Sequence, residues 1–148
     1  MNTLFDLAGK AALVVGGHGG IGKAIALGLA DAGADVAVAS RNLEALGAAA
    51  REIEAKGRKS LAVGVDVVDE TQVQAMVDKL LTVFTQVDIL VNAAGLAIRK
   101  PADSFPIEEW QRVMDINTRG TFLCCQAVGR VMIKQQACQD YSKWMTTT

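Results

Sequence analysis

The sequence predicts an α/β fold built on an open, doubly wound parallel sheet, truncated after the fourth strand and the long helix that follows it. Three observations point there. Short, nearly continuous apolar runs alternate with longer segments of helical period, the mark of β-α-β units around a parallel sheet. A glycine-rich turn joins the first apolar run to the first helical segment. The 148 residues carry 15 Lys+Arg, 16 Asp+Glu and 51% apolar side chains, the balance of a globular domain with a sizeable core.

Strands are read at 11–15, 35–40, 60–65 and 87–92, each apolar on both faces, as strands covered on both sides require. The first helix sets Ile21, Ile25, Gly28, Leu29 and Ala32 on one stripe, and the second sets Leu43, Leu46, Ala50 and Ile53. The third does the same with Val73, Met76, Val77, Leu80 and Phe84. Asn42 and Asp69 stand where N-caps belong, since their side chains accept from the free amides of a first helical turn. A loop holding Pro101 and Pro106 follows the fourth strand, and a helical stretch then runs over 107–134. The last residues, 135–148, form a polar tail with no apolar run fit for a fifth strand.

Several function classes are excluded by composition. A net charge of −1 without a like-charge block gives no electrostatic footprint for nucleic acid. Cys124 and Cys125 are adjacent and Cys138 stands apart, so they form neither a Cys-x-x-Cys motif nor a disulfide framework, and a single His completes no zinc set. Buried structural thiols in a reducing cytosol are expected. The first apolar run, 11–15, is too short for a signal peptide or a membrane span, which predicts a cytoplasmic protein with no membrane partner.

The turn runs Leu13-Val14-Val15-Gly16-Gly17-His18-Gly19-Gly20-Ile21-Gly22-Lys23. Its glycines let the backbone bend tightly and approach a ligand closely, and a pyrophosphate would sit on the amides opening the helix, where the helix dipole favours an anion. Two registers fit the letters: Gly17, Gly19 and Gly22 satisfy Gly-x-Gly-x-x-Gly, and Gly16, Gly20 and Gly22 satisfy Gly-x-x-x-Gly-x-Gly. His18 either donates to a phosphate or points into water. In this strand-turn-helix setting the motif predicts a Rossmann-type dinucleotide site. The second strand ends at Ser40-Arg41-Asn42, where such a site meets the adenosine ribose. An acidic residue there would accept from a 2′-hydroxyl; Arg41 instead offers a donor fork to a 2′-phosphate, which predicts NADP, with NAD as the alternative. Asn117 interrupts a helical stripe of Trp110, Val113, Thr121 and Cys124, so it is either an amide satisfied by nearby backbone or a functional group.

Taken in order, these landmarks resemble the short-chain dehydrogenase/reductase family over about residues 4–134. Gly16, Gly20 and Gly22 fit its Thr-Gly-x-x-x-Gly-x-Gly; Asp66-Val67 follows the third strand, where the family contacts adenine. Asn92-Ala93-Ala94-Gly95 resembles its Asn-Asn-Ala-Gly, and Met114-Asp115-Ile116-Asn117 carries its helical active-site Asn. The resemblance implies hydride transfer between NADP(H) and a carbinol or carbonyl carbon, with Asn117 holding a water in the proton relay and bending its helix. Asp66 and Asn92 also have plain structural readings, as a turn cap and a loop anchor. Val15 stands where the family usually has Thr, and Gly19 where many NADP-preferring members carry a second basic residue, which leaves phosphate recognition mainly to Arg41.

The family's Tyr-x-x-x-Lys, one helical turn apart, is not matched: the only Tyr is Tyr141, followed by Ser142 and Lys143. An incomplete dinucleotide-binding unit over 1–134 is therefore expected, inactive by itself. Leu4-Phe5-Asp6-Leu7-Ala8-Gly9-Lys10 and Ile98-Arg99-Lys100-Pro101-Ala102 look like the branch acting on sugar acids, such as gluconate 5-dehydrogenase; a 3-oxoacyl carrier-protein reductase is the alternative. The contrasting reading is a non-catalytic nucleotide-binding or subunit-partner module. A homo-oligomer is expected through the long helix, which forms a four-helix contact in the family, or through the open edge of 87–92.

Overall fold

The computed structural model describes residues 5–135, and they form a single sheet with helices on both faces. The elements follow in the order β1 (Ala11–Val15), α1 (Gly20–Asp31), β2 (Asp35–Ser40), α2 (Leu43–Glu54), β3 (Ser60–Gly64), α3 (Glu70–Phe84) and β4 (Ile89–Asn92). A 3-10 turn at Ala102–Ser104 leads into α4 (Ile107–Met114), a π-helical segment (Asp115–Gly120) and α5 (Thr121–Lys134). All pairings are parallel and the strand order is β3-β2-β1-β4, so the chain reverses its direction of travel between β1 and β4. That reversal opens a crevice at the carboxyl ends of the two strands.

Alternation along the strands divides the core in two. Ala12, Val14, Val36 and Val38 face α1 and α2 with Leu46 and Ile53, whereas Leu13, Val15, Ala37 and Ala39 face α3 and α5 with Met76, Leu80 and Cys124. Both faces are covered, which is why β1 and β2 tolerate no polar residue before Ser40 apart from Asp35 at the entrance.

Several sequence expectations are corrected. α1 buries Gly22, Ala26 and Ala30, not the stripe of Ile21, Ile25, Gly28, Leu29 and Ala32; Ile21 is 78% exposed and Gly28 is exposed too. Small residues face the sheet because the helix start is pressed onto the β1 turn: a Cβ on Gly22 would strike the Gly16 carbonyl and lie 3.2 Å from Ala93 Cβ. Leu43, expected inside, is exposed and covers Gly64. β3 ends at Gly64, and β4 starts at Ile89, where its pairing with β1 begins; before it, Val87 is bound by a side chain, its N–H donating to Gln135 Oε1 at 3.1 Å and its carbonyl accepting from Gln135 Nε2 at 2.9 Å. Trp110 and Asn117 are exposed, so of the stripe they share with Val113, Thr121 and Cys124 only Cys124 is fully buried. Of the adjacent thiols Cys124 is buried but Cys125 is exposed. No helix among the described residues is long and apolar enough to cross a membrane. Cys138, Tyr141, Ser142 and Lys143 lie outside the described residues, as does the expected tail beyond Gln135.

Candidate functional site

The crevice is built from the β1–α1 turn upward. Gly16 takes φ +87, and its N–H donates to the Ala39 carbonyl at 2.7 Å, tying the turn to β2. A Cβ at Gly16 would lie 2.5 Å from both Ala93 C and Ala94 N, so only glycine lets the turn rest on the loop after β4. Gly20 takes φ +52. The backbone thus depends on Gly16, Gly20 and Gly22, the second of the two registers. Gly17 serves packing, its Cβ position being 2.8 Å from Val38 Cγ1. Val15 supplies no hydroxyl to the turn, and the link to β4 is made by backbone alone, Ala93 N–H to the Val15 carbonyl at 2.7 Å.

Above this close packing the helix start is open. Gly19 caps α1 with extended backbone (φ −167) and no side-chain bond, no acidic residue lies in the first turn, and nothing approaches within 4 Å of a Cβ at Gly19 or Gly20. By contrast, α2 and α3 are capped by side chains. Asn42 Oδ1 accepts from Ala45 N–H at 3.1 Å, and Asp69 Oδ1 accepts from Thr71 N–H at 2.9 Å and Gln72 N–H at 3.1 Å. Those bonds, led by the Gln72 amide, hold the Asp69 carboxyl below its ordinary range. Only α1 among the three presents bare amides and an uncompensated positive dipole end to the crevice.

A cleft of about 250 Å³ collects most of the expected residues. Gly16, His18, Gly19, Ser40, Arg41 and Asn42 form one wall; Asp66, Val67, Ala93, Ala94 and Gly95 form the other. Gly17, Gly20, Ile21, Gly22, Asn92 and Asn117 lie outside its lining, the glycines shaping the turn beneath it. Ser40 is buried and its Oγ accepts from Asn42 N–H at 3.1 Å, which fixes the β2–α2 turn and leaves the Arg41 side chain exposed. Asp66 acts as a turn cap, accepting weakly from Val68 N–H at 3.3 Å, yet still faces the cleft. Asn92 donates through Nδ2 to Cys125 Sγ at 3.2 Å.

Asn117 sits inside the π-helical segment and is used twice by one residue: Oδ1 accepts from Leu96 N–H at 2.8 Å and Nδ2 donates to the Leu96 carbonyl at 2.9 Å. The amide reproduces the pair of bonds a neighbouring strand would make, and so pins the loop leaving β4. Sequence reasoning missed Ile116, which lines the same cleft, and Gly120, which brings it there. A Cβ on Gly120 would lie 2.6 Å from Val67 Cγ2, so glycine alone allows the long helix to close on the β3–α3 loop. A glycine in an otherwise regular helical stretch was the available signal, one it shares with Gly129, whose Cβ position meets nothing. Cys124 is no nucleophile, since burial, and to a lesser degree the neighbouring Cys125 thiol, push its pKa up to about 11.

Comparison with known proteins places this geometry. A family model described as short chain dehydrogenase matches residues 10–139. D-threitol dehydrogenase of Mycolicibacterium smegmatis is 41% identical over 130 residues, 88% of this chain and 50% of that protein. A 2-dehydro-3-deoxy-D-gluconate 5-dehydrogenase of Pseudoalteromonas atlantica is 38% identical over 134 residues, 90% of this chain and 53% of that protein. Among solved structures, a short-chain type dehydrogenase/reductase from Mycobacterium marinum superposes with a TM-score of 0.87 at 44% identity, over 89% of this chain and 53% of that one. The chain spans about half the length of the curated relatives it matches.

Proposed function

The chain belongs to the short-chain dehydrogenase/reductase family, and from that premise we propose that it forms the cofactor-binding part of an NADP(H)-dependent oxidoreductase acting on a carbinol or carbonyl carbon. The observation that carries this is the uncapped start of α1 over a turn so closely packed that only glycine fits. Bare amides, an open approach and no competing carboxylate in the first turn fit a pyrophosphate. A bound nicotinamide dinucleotide would supply the hydride donor or acceptor.

This chain's residues have the binding and positioning tasks. The Gly16 to Gly22 turn holds the pyrophosphate, with His18 at its rim. Ser40 and Asn42 set the β2–α2 turn so that Arg41 meets the adenosine 2′-position; a guanidinium there favours a 2′-phosphate over a bare hydroxyl, and no acidic residue adjoins it in sequence. Asp66 and Val67 border the adenine, and Asn92 to Gly95 border the nicotinamide side. Asn117, fixed by Leu96, holds a water in the proton relay. A polyol or sugar acid is the proposed substrate class, supported by the relatives named for D-threitol and 2-dehydro-3-deoxy-D-gluconate. Arg99 adds to this: Lys100 is engaged with Glu109 at 2.6 Å, whereas Arg99, on the same loop, is exposed and in no ion pair among the described residues.

Calorimetric titration of the chain with NADPH and NADH, alongside Arg41→Ala, tests the cofactor assignment. NADPH should bind at least about tenfold more tightly, in line with a charge-assisted pair, and the variant should lose that preference. Tighter binding of NADH, or discrimination unchanged in the variant, would overturn it.

A further inference from the structure

Beside the cleft lies a second cavity of about 540 Å³ that shares Arg41, Asp66 and Ile116 with it and is walled on the far side by α4. Arg112 of α4 and Arg41 of the β2–α2 turn both line this cavity. We propose that Arg112 is a second specificity-determining residue, closing with Arg41 on the 2′-phosphate of NADP(H); this rests on the NADP(H) reading above. Neither arginine takes part in an ion pair or a side-chain hydrogen bond among the described residues, although Glu108 and Asp115 are Arg112's neighbours on its own helix. A helix end does not occupy Arg112 either, because the helical path continues from α4 through the π-helical segment into α5.

Charge sets what each arginine must offset. Asp66, Glu108 and Asp115 also line the cavity, so Arg41 alone would offer a phosphate dianion a wall with two net negative charges. Arg112 halves that excess and supplies a second planar donor fork from α4. The Asp115 carboxylate is partly engaged, accepting from Gln111 Nε2 at 3.0 Å. In the glycine turn Gly19 carries no side chain and Lys23 is paired with Glu52 at 2.6 Å, so α4 is where the described structure brings a second guanidinium to this space.

The test is titration of the 148-residue chain, Arg41→Ala and Arg112→Ala with NADPH and NADH, with folding verified by circular dichroism. Arg112→Ala should weaken NADPH about tenfold and change NADH by less than twofold, and the NADPH loss should shrink as salt is raised. A collapsed NADPH preference in Arg41→Ala with an unchanged one in Arg112→Ala would overturn this inference and leave the NADP(H) reading standing. Equal losses for both cofactors in Arg112→Ala would also overturn it, as a structural effect. A preference unchanged in both variants would overturn it as well, and a wild-type chain that binds NADH as tightly as NADPH would remove the NADP(H) reading itself.

Discussion

Gly19 is the residue at which binding and stability pull apart. It is the N-cap of α1, its extended backbone suits any residue, and its Cβ position is empty. Gly19→Asp should therefore cap the helix as Asp69 caps α3, leaving stability unchanged or raising it by a few tenths of a kcal/mol, ~0.5 at most, while a carboxylate in the anion position abolishes dinucleotide binding. Thermal melting and calorimetry on one sample read both; retained binding would remove the pyrophosphate from this turn. Asp88 shows the opposite case, a carboxylate that is purely structural. Burial works against its ionisation, but the Ala11 N–H at 2.9 Å, the Gln86 amide at 2.8 Å and Lys10 at 3.3 Å outweigh it and hold the carboxyl below its ordinary 3.8. Its stabilising contribution is thus full above that value and fades as pH falls through the lower folded-state pKa. Asp88→Asn should cost about 1–2 kcal/mol at pH 7, and melting curves at descending pH should show the gap closing below about pH 3.8. The glycines were legible in the sequence because their requirement is local. The partner of Asn117 was not: helical spacing marks an amide out of pattern but says nothing of Leu96, which lies 21 residues away on another element.

At the scale of elements, β-branched runs and capping residues located the strands and the α2 and α3 starts, since both signals are short-range. The buried face of α1 was misread because its largest apolar residues are not its inward ones; close approach to the sheet selects Gly22, Ala26 and Ala30, a criterion hydropathy does not carry. The π-helical segment left no mark in the periodicity, as a single wide turn leaves the apolar spacing of α4 and α5 nearly intact; only the family resemblance implied a bend at Asn117. β4 gives a prediction of its own. The Asp88 N–H pairs with Ala11 of β1 and Val87 faces the other way, so Ile89 and Val91, in phase with Val87, direct their backbone groups to the side opposite β1. Gln135 covers only the first of these positions. In the 148-residue chain this edge, together with exposed Phe122 and Ile133 on α5, should drive association. Size-exclusion chromatography with light scattering should report dimers or larger species at micromolar concentration; a monomer under those conditions contradicts it.

For the molecule as a whole, two apolar layers on a four-stranded sheet place every candidate cofactor contact at one end, where β1 and β4 diverge. The ordered landmarks from Gly16 to Asn117 made that end legible in advance, because each marks a loop at a strand's carboxyl end or a helix closing over it. The second arginine on α4 was not legible, since its proximity to Arg41 arises only when the long helix, seated on Val67 through Gly120, folds back across the sheet. The central claim is that a dinucleotide lies across this end with its pyrophosphate on α1. An NMR titration of the isotopically labelled chain with NADPH, following backbone amides, tests it most directly. The account predicts saturable shifts at Gly19, Gly20, Ile21 and Gly22, accompanied by shifts at Arg41, Asp66 and Ala93 to Gly95. A folded spectrum whose glycine-turn amides stay still at saturating NADPH would contradict it.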